Sequence, residues 1–464
     1  MNSGPLSTSR RGWEKRNLPG WTRLRRNGVS FSRAFCSTCM CSPSRASLMT
    51  GLFPAQHGVT DTLALGPSGT GQQVLPTNLP NLATVMSEAG YEVVYKGKWH
   101  LSKPQGDPDD DTWQPSDVAR YGFSRWNPPD AGENQDIDQF GGGNADNDGR
   151  FMEDRQQEGA LDYLRGAAAA QQPFCLVVSL VNPHDVLAYP STWRDGGYEG
   201  RKWLRGSIDL PPNQNDNLRT KPTVQREILV TLAEALGPLP TRTQQRNYLN
   251  FYGNVLKEAD RHLVELLDTL DETGLTDNTV IVATSDHGEM GLSHGGLRQK
   301  AYNVYEETLR VPLVWSNPAL FPKPRVAKAL VSHVDLLPTL ATLFGASDRG
   351  TSWQGIDYSA VVQQPTRKGP QDYVAFTFDD HPDLLAGDTR IRCIREGRYN
   401  LARYFDADKP NLPDQWEMYD LKEDPLEMVN IAYRGYRRTP KQQAQLDRLR
   451  TKLAEVEQTR LQPL

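Results

Sequence analysis

Residues 82–100, LATVMSEAGYEVVYKGKWH, predict the fold more clearly than any other stretch of this chain. The first half carries apolar residues at helical spacing, namely Leu82, Val85, Met86 and Ala89. Gly90 provides a stop signal for this helix, and the apolar run 91–95 follows at once as a short buried strand. A helix that leads directly into a buried strand is typical of α/β proteins.

The same succession of helix and strand occurs twice more along the chain. A helix around residues 156–164 precedes the apolar strand 174–180, and a long helix near 248–270 precedes the strand 279–283. Short apolar strands between amphipathic helices predict a large, mostly parallel sheet that is sandwiched by helices. We therefore predict an α/β fold.

The C-terminal region has a different pattern, which predicts a second, smaller unit. From about residue 368 the chain has short β-like runs at 373–376 and 390–394, and a polar helix near 441–458 closes it. We predict a catalytic α/β domain over residues 1–367 and an α+β subdomain over residues 368–464.

Two long stretches between the helix–strand units, residues 103–150 and 186–240, look irregular. Both are rich in Asp, Gly, Pro and Asn. Long loops in a compact domain are usually functional, so we expect these two to shape a substrate pocket.

Composition argues against two classes of protein. The 464 residues carry a formal net charge of -5 with both signs interspersed, which is not the basic footprint of a nucleic-acid-binding protein. No apolar run approaches the roughly 20 residues of a membrane-spanning helix. The arginine-rich, acid-poor N-terminal segment resembles a transit peptide but contains no hydrophobic secretory stretch. We therefore expect a cytoplasmic protein that binds neither nucleic acid nor membrane.

Chemically reactive residues follow each of the three predicted strands. The first strand ends in Lys96-Gly97-Lys98-Trp99-His100, the second in Asn182-Pro183-His184-Asp185, and the third in Ser285-Asp286-His287-Gly288-Glu289. Because open parallel sheets bind ligands at the carboxyl ends of their strands, these cations, imidazoles and carboxylates are predicted to converge on one edge.

A fourth cluster, Cys41-Ser42-Pro43-Ser44-Arg45, combines a thiol, a rigid turn and a cation. Pro43 fixes its own φ and favours an extended Ser42, so Cys41 is expected on a turn just before a helix. A nucleophile at a helix N-terminus near a guanidinium suits chemistry on an anionic group. The alternatives are a buried structural cysteine, or a zinc site with Cys36 and Cys39, for which the sequence offers no second cysteine cluster.

Taken together, these motifs resemble the sulfatase family of the alkaline phosphatase superfamily. The matching motifs, which occur in the family's order, are CxPSR at 41–45, GKWHL at 97–101, Pro183-His184, SDHG at 285–288, Lys300 and the YDL..DP.E run at 419–427. The resemblance spans residues 18 to 432, and CxPSR and SDHG are its specific parts. It implies a hydrolase of sulfate esters.

The resemblance implies a role for each motif residue. Cys41 would be oxidised to formylglycine by a formylglycine-generating enzyme, and its hydrate would attack sulfur with Arg45 stabilising the ionised form. Two lysines, Lys98 and Lys300, would neutralise the sulfate oxygens. His184 would bind the substrate and protonate the departing alcohol, and His100 would deprotonate the second hydroxyl.

The resemblance also implies a divalent metal held by Asp286, His287 and the modified Cys41. The family usually binds Ca²⁺, often with Asn at the second of these positions. Since hard Ca²⁺ prefers oxygen ligands, the imidazole of His287 leaves Mn²⁺ open, as in the related phosphonate monoester hydrolases.

One family feature has no counterpart in this sequence. Sulfatase-like enzymes open with an apolar strand that ends in Asp-Asp or Asp-Gln and supplies further metal ligands, whereas the first aspartate here is Asp61. Two explanations compete, a start site assigned too late and a true truncation. We favour the late start, because every downstream motif keeps its chemistry. An in-frame stop codon directly upstream of Met1 would contradict it.

Three functions therefore compete. The first is hydrolysis of a small-molecule sulfate ester, and the second is a phosphonate monoester or phosphodiester hydrolase with the same nucleophile. The third is an inactive sulfatase-like protein that lacks half of its metal site.

Overall fold

The computed structural model describes residues 12–105, 112–133, 135–346, 353–380, 390–407 and 409–463. Within them, helices and strands alternate as an α/β fold requires. The helices are α1 (Trp13–Asn17), α2 (Pro19–Arg26), α3 (Cys41–Thr50), α4 (Pro54–His57), α5 (Leu82–Glu88), α6 (Ser116–Ala119), α7 (Asn147–Met152), α8 (Ala160–Ala170), α9 (Val224–Leu236), α10 (Arg242–Glu272), α11 (Ser293–Gly296), α12 (Glu306–Leu309), α13 (Leu336–Phe344), α14 (Ser359–Gln363) and α15 (Pro440–Thr459).

The strands are mostly short and apolar. They are β1 (Gly28–Phe31), β2 (Ala34–Phe35), β3 (Glu92–Gly97), β4 (Phe174–Ser179), β5 (Ile281–Thr284), β6 (Arg310–Val311), β7 (Leu313–Ser316), β8 (Arg325–Ala327), β9 (Val331–Ser332), β10 (Tyr373–Phe378), β11 (Arg390–Glu396), β12 (Tyr399–Phe405) and β13 (Gln415–Asp420).

The three helix–strand units expected from the sequence are α5–β3, α8–β4 and α10–β5. Asn81 caps the N-terminus of α5, because its side chain accepts hydrogen bonds from the backbone N–H groups of Ala83 and Thr84. Observed boundaries differ from the predicted ones by up to six residues, since α8 spans Ala160–Ala170 rather than 156–164 and α10 begins at Arg242 rather than near 248. Helix ends depend on capping and tertiary contacts, so periodicity fixes them only approximately.

The α/β architecture is confirmed, but its sheets are more mixed than the sequence predicts. Strands β3 and β4 are parallel and in register, and the order β5-β7-β1-β8 includes antiparallel pairs on both sides of β7. A three-stranded group, β6-β2-β9, is also mixed. A buried strand is apolar in either direction, so hydrophobicity alone does not reveal its direction.

Strands β4 and β5 are edge strands within the described residues. Each pairs on one side only, β4 with β3 and β5 with β7, and the side chains of both are partly exposed. Helix α10 packs against both strands, with Leu266 beside β4 and Leu263 and Leu267 beside β5. The shared helix therefore holds the carboxyl ends of the two strands in one region of the molecule.

The C-terminal region forms a four-stranded antiparallel sheet in the order β10-β11-β12-β13. Helix α15 covers one face of this sheet with Leu446, Leu449, Leu453 and Val456, which pack among Ile394, Leu401 and Met418. The predicted β-like runs and the closing helix are thus present. The boundary proposed at residues 367 and 368 stays a prediction.

The stretch 186–240 is less irregular than predicted, because α9 occupies Val224–Leu236. Its Val224 and Ile228 side chains join the main hydrophobic core, and the sequence pattern there is amphipathic. The prediction of an unbroken loop was wrong at this helix. In the described part of the chain, no helix combines the length and apolar character needed to cross a membrane.

Replacing Leu453 with Ala should destabilise the C-terminal sheet by about 2–5 kcal/mol, because the fully buried side chain would leave a cavity. Urea-induced unfolding followed by circular dichroism would report this as a lower midpoint. The matched control is Leu412→Ala, since Leu412 is 57% exposed and its loss should leave the midpoint unchanged. Equal midpoints for the Leu453→Ala variant and the unaltered protein would contradict the assignment of Leu453 to this core.

Candidate active site

Cys41 begins helix α3, one residue further into the helix than the sequence predicts. Met40 precedes it with a φ of 68°, which turns the chain sharply into the helix. The first backbone N–H groups of a helix have no partner within it and favour a negative charge nearby. The Cys41 side chain therefore lies where the helix itself assists an anion.

Arg45 lies one helical turn after Cys41 and connects three strand ends. Its Nη1 donates to the carbonyl of Lys98 at 3.0 Å and to Ser179 Oγ at 2.9 Å. Its Nε lies 3.4 Å from Oδ2 of Asp286. These partners follow β3, end β4 and follow β5, so one buried guanidinium fixes α3 against all three.

The turn after β3 is held by an aspartate and by an aromatic cluster. Oδ1 of Asp130 accepts from the Trp99 N–H at 2.7 Å, and its Oδ2 accepts from the His100 N–H at 2.6 Å. The Trp99 ring is fully buried and packs against Tyr95, Tyr121 and Phe123. Buried anchors on both sides of the turn fix the positions of Lys98 and His100.

The hydrogen bonds of His100 define its tautomer. Its Nε2 lies 2.8 Å from the carbonyl oxygen of Leu63, which only accepts, so Nε2 carries the proton. Nδ1 is buried and, in the described ranges of the chain, has no hydrogen-bond partner, and in this tautomer it is the basic nitrogen. The ring thus presents a lone pair inside the site, where it is able to take a proton.

Two buried carboxylates hold the loop that carries His184. Asp148 accepts from the backbone N–H groups of Val181 and Asn182 at 2.6 and 2.9 Å. Asp185 accepts from the N–H groups of Gly141 and Gly142, and from the hydroxyl of Tyr198.

His184 itself is held in a neutral state. Burial lowers the pKa of its imidazole well below the usual value, and the nearby cation of Lys98 lowers it further. Within the described part of the chain, its Nδ1 has no hydrogen-bond partner. The ring is therefore uncharged near neutral pH and has a polar atom free for another group.

Asp286 and His287 lie beside Cys41. The Sγ of Cys41 is 3.5 Å from Nε2 of His287, and the ligand atoms of all three residues lie within 4.8 Å of one another. Nδ1 of His287 is 2.9 Å from the carbonyl of Gly288, so it is the protonated nitrogen and Nε2 keeps its lone pair. This arrangement fits a metal ion, because a second hydrogen bond commonly orients a ligating histidine.

The electrostatics of the site favour an anion at position 41. Burial opposes a thiolate, but the cations of Lys98 and Lys300 outweigh it. The pKa of the Cys41 thiol is therefore well below its usual value. Burial likewise opposes the Lys300 cation, yet the charges of Cys41 and Asp286 raise its pKa.

The structure brings every predicted site residue into one region. Cys41, Arg45, Lys98 and Asp286 are joined by the contacts above, and His100, His184, His287 and Lys300 act on the same thiol or its neighbours. The sequence did not reveal the residues that position them, namely Tyr95, Ser179, Asp130, Asp148 and Asp185. The sequence hinted at these residues only by their position along the chain. Asp185 directly follows His184, and the others lie in strands or long loops.

Comparison with known proteins places these residues in a family context. A sequence model described as Sulfatase matches residues 7–346, and one described as N-sulphoglucosamine sulphohydrolase, C-terminal matches residues 294–459. A Delta 4,5-hexuronate-2-O-sulfatase of Bacteroides thetaiotaomicron is 25% identical over 87% of this chain and 77% of its own. A choline-sulfatase of Rhizobium meliloti is 27% identical over 90% of this chain and 78% of its own.

Solved structures share the fold. A 2-O GAG sulfatase superposes with a TM-score of 0.73 at 23% identity, covering 95% of this chain and 87% of the other. A phosphonate monoester hydrolase from Silicibacter pomeroyi gives 0.69 at 20% identity, covering 98% and 92%. At these identities the likeness concerns the fold, which the two kinds of enzyme have in common.

Replacing Lys98 with Met should raise the pKa of the unmodified Cys41 thiol, because one of the two cations that favour the thiolate is lost. Thiolate absorbance near 240 nm, recorded against pH and corrected with a Cys41→Ser protein, would measure the shift. Lys96→Met is the matched control, since Lys96 is also buried but donates to Asn127 and the carbonyl of Glu158. An unchanged titration in the Lys98→Met variant would contradict the electrostatic account.

Proposed function

The chain belongs to the sulfatase family and is a hydrolase of sulfate esters, and on this premise we propose that its nucleophile derives from Cys41. Oxidation of the Cys41 side chain to formylglycine would supply a hydrated aldehyde, one oxygen of which attacks sulfur. The observation that supports this proposal is the environment of Cys41, where a helix N-terminus and two buried lysines stabilise negative charge.

Lys98 and Lys300 are proposed to bind the sulfate group. Both amino groups are buried, and both act electrostatically on position 41. Cations that are already in place when the substrate arrives stabilise charge on the sulfate oxygens without reorganisation. Arg45 lies 3.4 Å from Asp286 and interacts electrostatically with position 41, where it is proposed to stabilise the ionised hydroxyl.

His184 is proposed to protonate the departing alcohol. In the free protein its pKa is lowered by burial and by the two lysine cations. A bound sulfate group between these lysines would offset their charge, so substrate binding raises the pKa of His184 toward the range of an effective general acid.

His100 is proposed to take the proton from the second hydroxyl at position 41. Its unprotonated Nδ1 and its hydrogen bond to the Leu63 carbonyl hold it ready as a base. Loss of that proton releases sulfate and restores the aldehyde, so the site returns to its starting state after each turnover.

A divalent metal is proposed to complete the site, held by Asp286, His287 and the oxidised residue 41. The donors fit, because His287 Nε2 and the Asp286 carboxylate lie within 4.8 Å of position 41. When bound, the ion would supply positive charge that favours an ionised hydroxyl. The resemblance implies Ca²⁺, and the imidazole favours Mn²⁺ as the alternative. The further ligands implied for an upstream strand stay a prediction.

Maturation decides whether the protein is active. We expect coexpression with a formylglycine-generating enzyme to yield turnover of p-nitrophenyl sulfate and an aldehyde at residue 41, detected by mass spectrometry of its peptide. Cys41→Ala should reduce turnover to background, because no nucleophile remains. Faster turnover of a phenyl phosphonate would favour the phosphonate hydrolase. An unmodified cysteine with no bound metal and no turnover would identify an inactive protein.

Replacing His184 with Ala should slow hydrolysis by about 10²–10⁴-fold for an alkyl sulfate, whose alkoxide leaves poorly without a proton. The loss should be much smaller for p-nitrophenyl sulfate, whose phenolate leaves unaided. Steady-state kinetics on both substrates measure the difference. His262→Gln is the control, because His262 contacts Glu265 on α10 rather than the site. Equal losses on both substrates would contradict a role in protonating the leaving group.

A further inference from the structure

A second cluster of metal-ligating side chains lies outside the candidate active site. It consists of His294 on α11, Glu307 on α12 and Glu427 beyond β13, and their ligand atoms all lie within 4.8 Å of one another. His294 and Glu427 are fully buried. The cluster therefore joins the C-terminal region to the segment that follows the Asp286–His287 turn.

The imidazole of His294 is oriented as a ligand would be. Its Nδ1 lies 3.0 Å from Oδ2 of Asp216, and its ring stacks on Tyr305 at 3.6 Å between centroids. Because the carboxylate accepts the Nδ1 proton, Nε2 keeps its lone pair, and it lies 4.0 Å from Oε2 of Glu307. A carboxylate that holds the far nitrogen is the usual support of a metal-bound histidine.

A buried amide is directed into the same cluster. Nδ2 of Asn213 is 3.1 Å from His294 Nε2 and donates to Glu307 Oε1 at 3.1 Å. Oδ1 of this amide is buried and has no hydrogen-bond partner among the residues that the structure describes. In the metal-bound state we expect this amide to rotate by half a turn, which exchanges its oxygen and nitrogen and gives up the two hydrogen bonds above. An oxygen ligand would then face the imidazole nitrogen and the carboxylate.

A cation would compensate the buried acids of the cluster, in place of the proton that is otherwise favoured on Glu427, whose pKa is raised by burial and by the neighbouring Glu306 and Glu307. Asp216 lies 3.6 Å from Lys221 Nζ, and Glu306 is paired with Arg395 at 2.7 Å, so these acids are already compensated. Glu307 and Glu427 remain, with a combined charge of −2 when both are ionised. Glu427 is aligned as an acceptor, since the Asn400 amide and the Glu306 N–H donate to it at 2.9 and 2.8 Å. Two buried like charges are unfavourable unless something neutralises them.

We propose that His294, Asn213, Glu307 and Glu427 bind a second divalent cation, separate from the one at position 41. One imidazole nitrogen with three oxygen donors suits a borderline ion such as Zn²⁺ or Mn²⁺ better than Ca²⁺. The ion attaches the C-terminal region to the active-site segment, because the Glu307 carbonyl accepts from the Glu289 N–H at 3.1 Å, directly after the predicted catalytic metal ligands.

Metal counting on the full chain tests the proposal. Protein stripped with a chelator is dialysed against Zn²⁺ or Mn²⁺, and bound metal is measured by mass spectrometry. Glu427→Gln and Glu307→Gln should each lose one equivalent or bind it ~100-fold more weakly, while Asp286→Asn affects only the other equivalent. The matched control is Glu417→Gln, since Glu417 is an equally buried acid bonded to Tyr404 and Tyr419, outside the cluster.

A gain-of-affinity variant keeps the test decisive if the Gln variants fold poorly. The Asn213→Asp variant should bind the metal about tenfold more tightly, because a carboxylate replaces an amide oxygen. Its melting temperature should be lower than that of the unaltered protein when a chelator is present, but not when metal is bound. Metal binding unaffected by Glu427 and Glu307, or an Asn213→Asp protein that metal does not stabilise, would overturn the proposal. Neither outcome depends on sulfatase activity.

Discussion

The buried guanidinium of Arg45 is the interaction on which the rest of the site depends. Arg45 lies on α3, one turn after Cys41. Its guanidinium contacts Lys98, Ser179 and Asp286, which lie at the carboxyl ends of β3, β4 and β5. A buried cation is stable only when its donors are satisfied, so these partners must stay together in the folded protein. The proposed nucleophile, the proposed sulfate-binding lysine and the proposed metal ligand are thereby held together by one side chain.

Three carboxylates, two of them fully buried, hold the loops of the candidate site in place. Asp130, Asp148 and Asp185 accept backbone N–H groups from the turns that carry His100 and His184. Burial raises the pKa of Asp148 to about 7, whereas its backbone N–H donors favour the ionised form, which makes the stronger hydrogen bonds. The long loops thus support the chemistry as well as enclosing the site, which is why irregular segments are able to hold imidazoles in fixed positions.

The segment between β5 and β7 separates two regions of opposite charge. On one side Lys98 and Lys300 favour an anion at position 41, and on the other Glu307 and Glu427 lie beside His294. The two ends of this segment are joined by backbone hydrogen bonds, because the N–H groups of Gly288 and Glu289 donate to the carbonyls of Thr308 and Glu307. Residues of the segment therefore face both regions. These backbone hydrogen bonds therefore link the turn beside position 41 to Glu307, which lies beside Glu427 of the C-terminal region.

The sequence by itself determined the α/β class and the residues of the candidate site, because short apolar strands end in chemically distinctive turns and residues 41–45 carry a specific motif. Only the tertiary structure decided the strand directions and the positioning carboxylates. Apolar periodicity is the same for either strand direction, so the pairing of β5 and β7 was invisible to it. Asp130 and Asp148 act through backbone groups far away in sequence, and such partners are defined only by the folded chain.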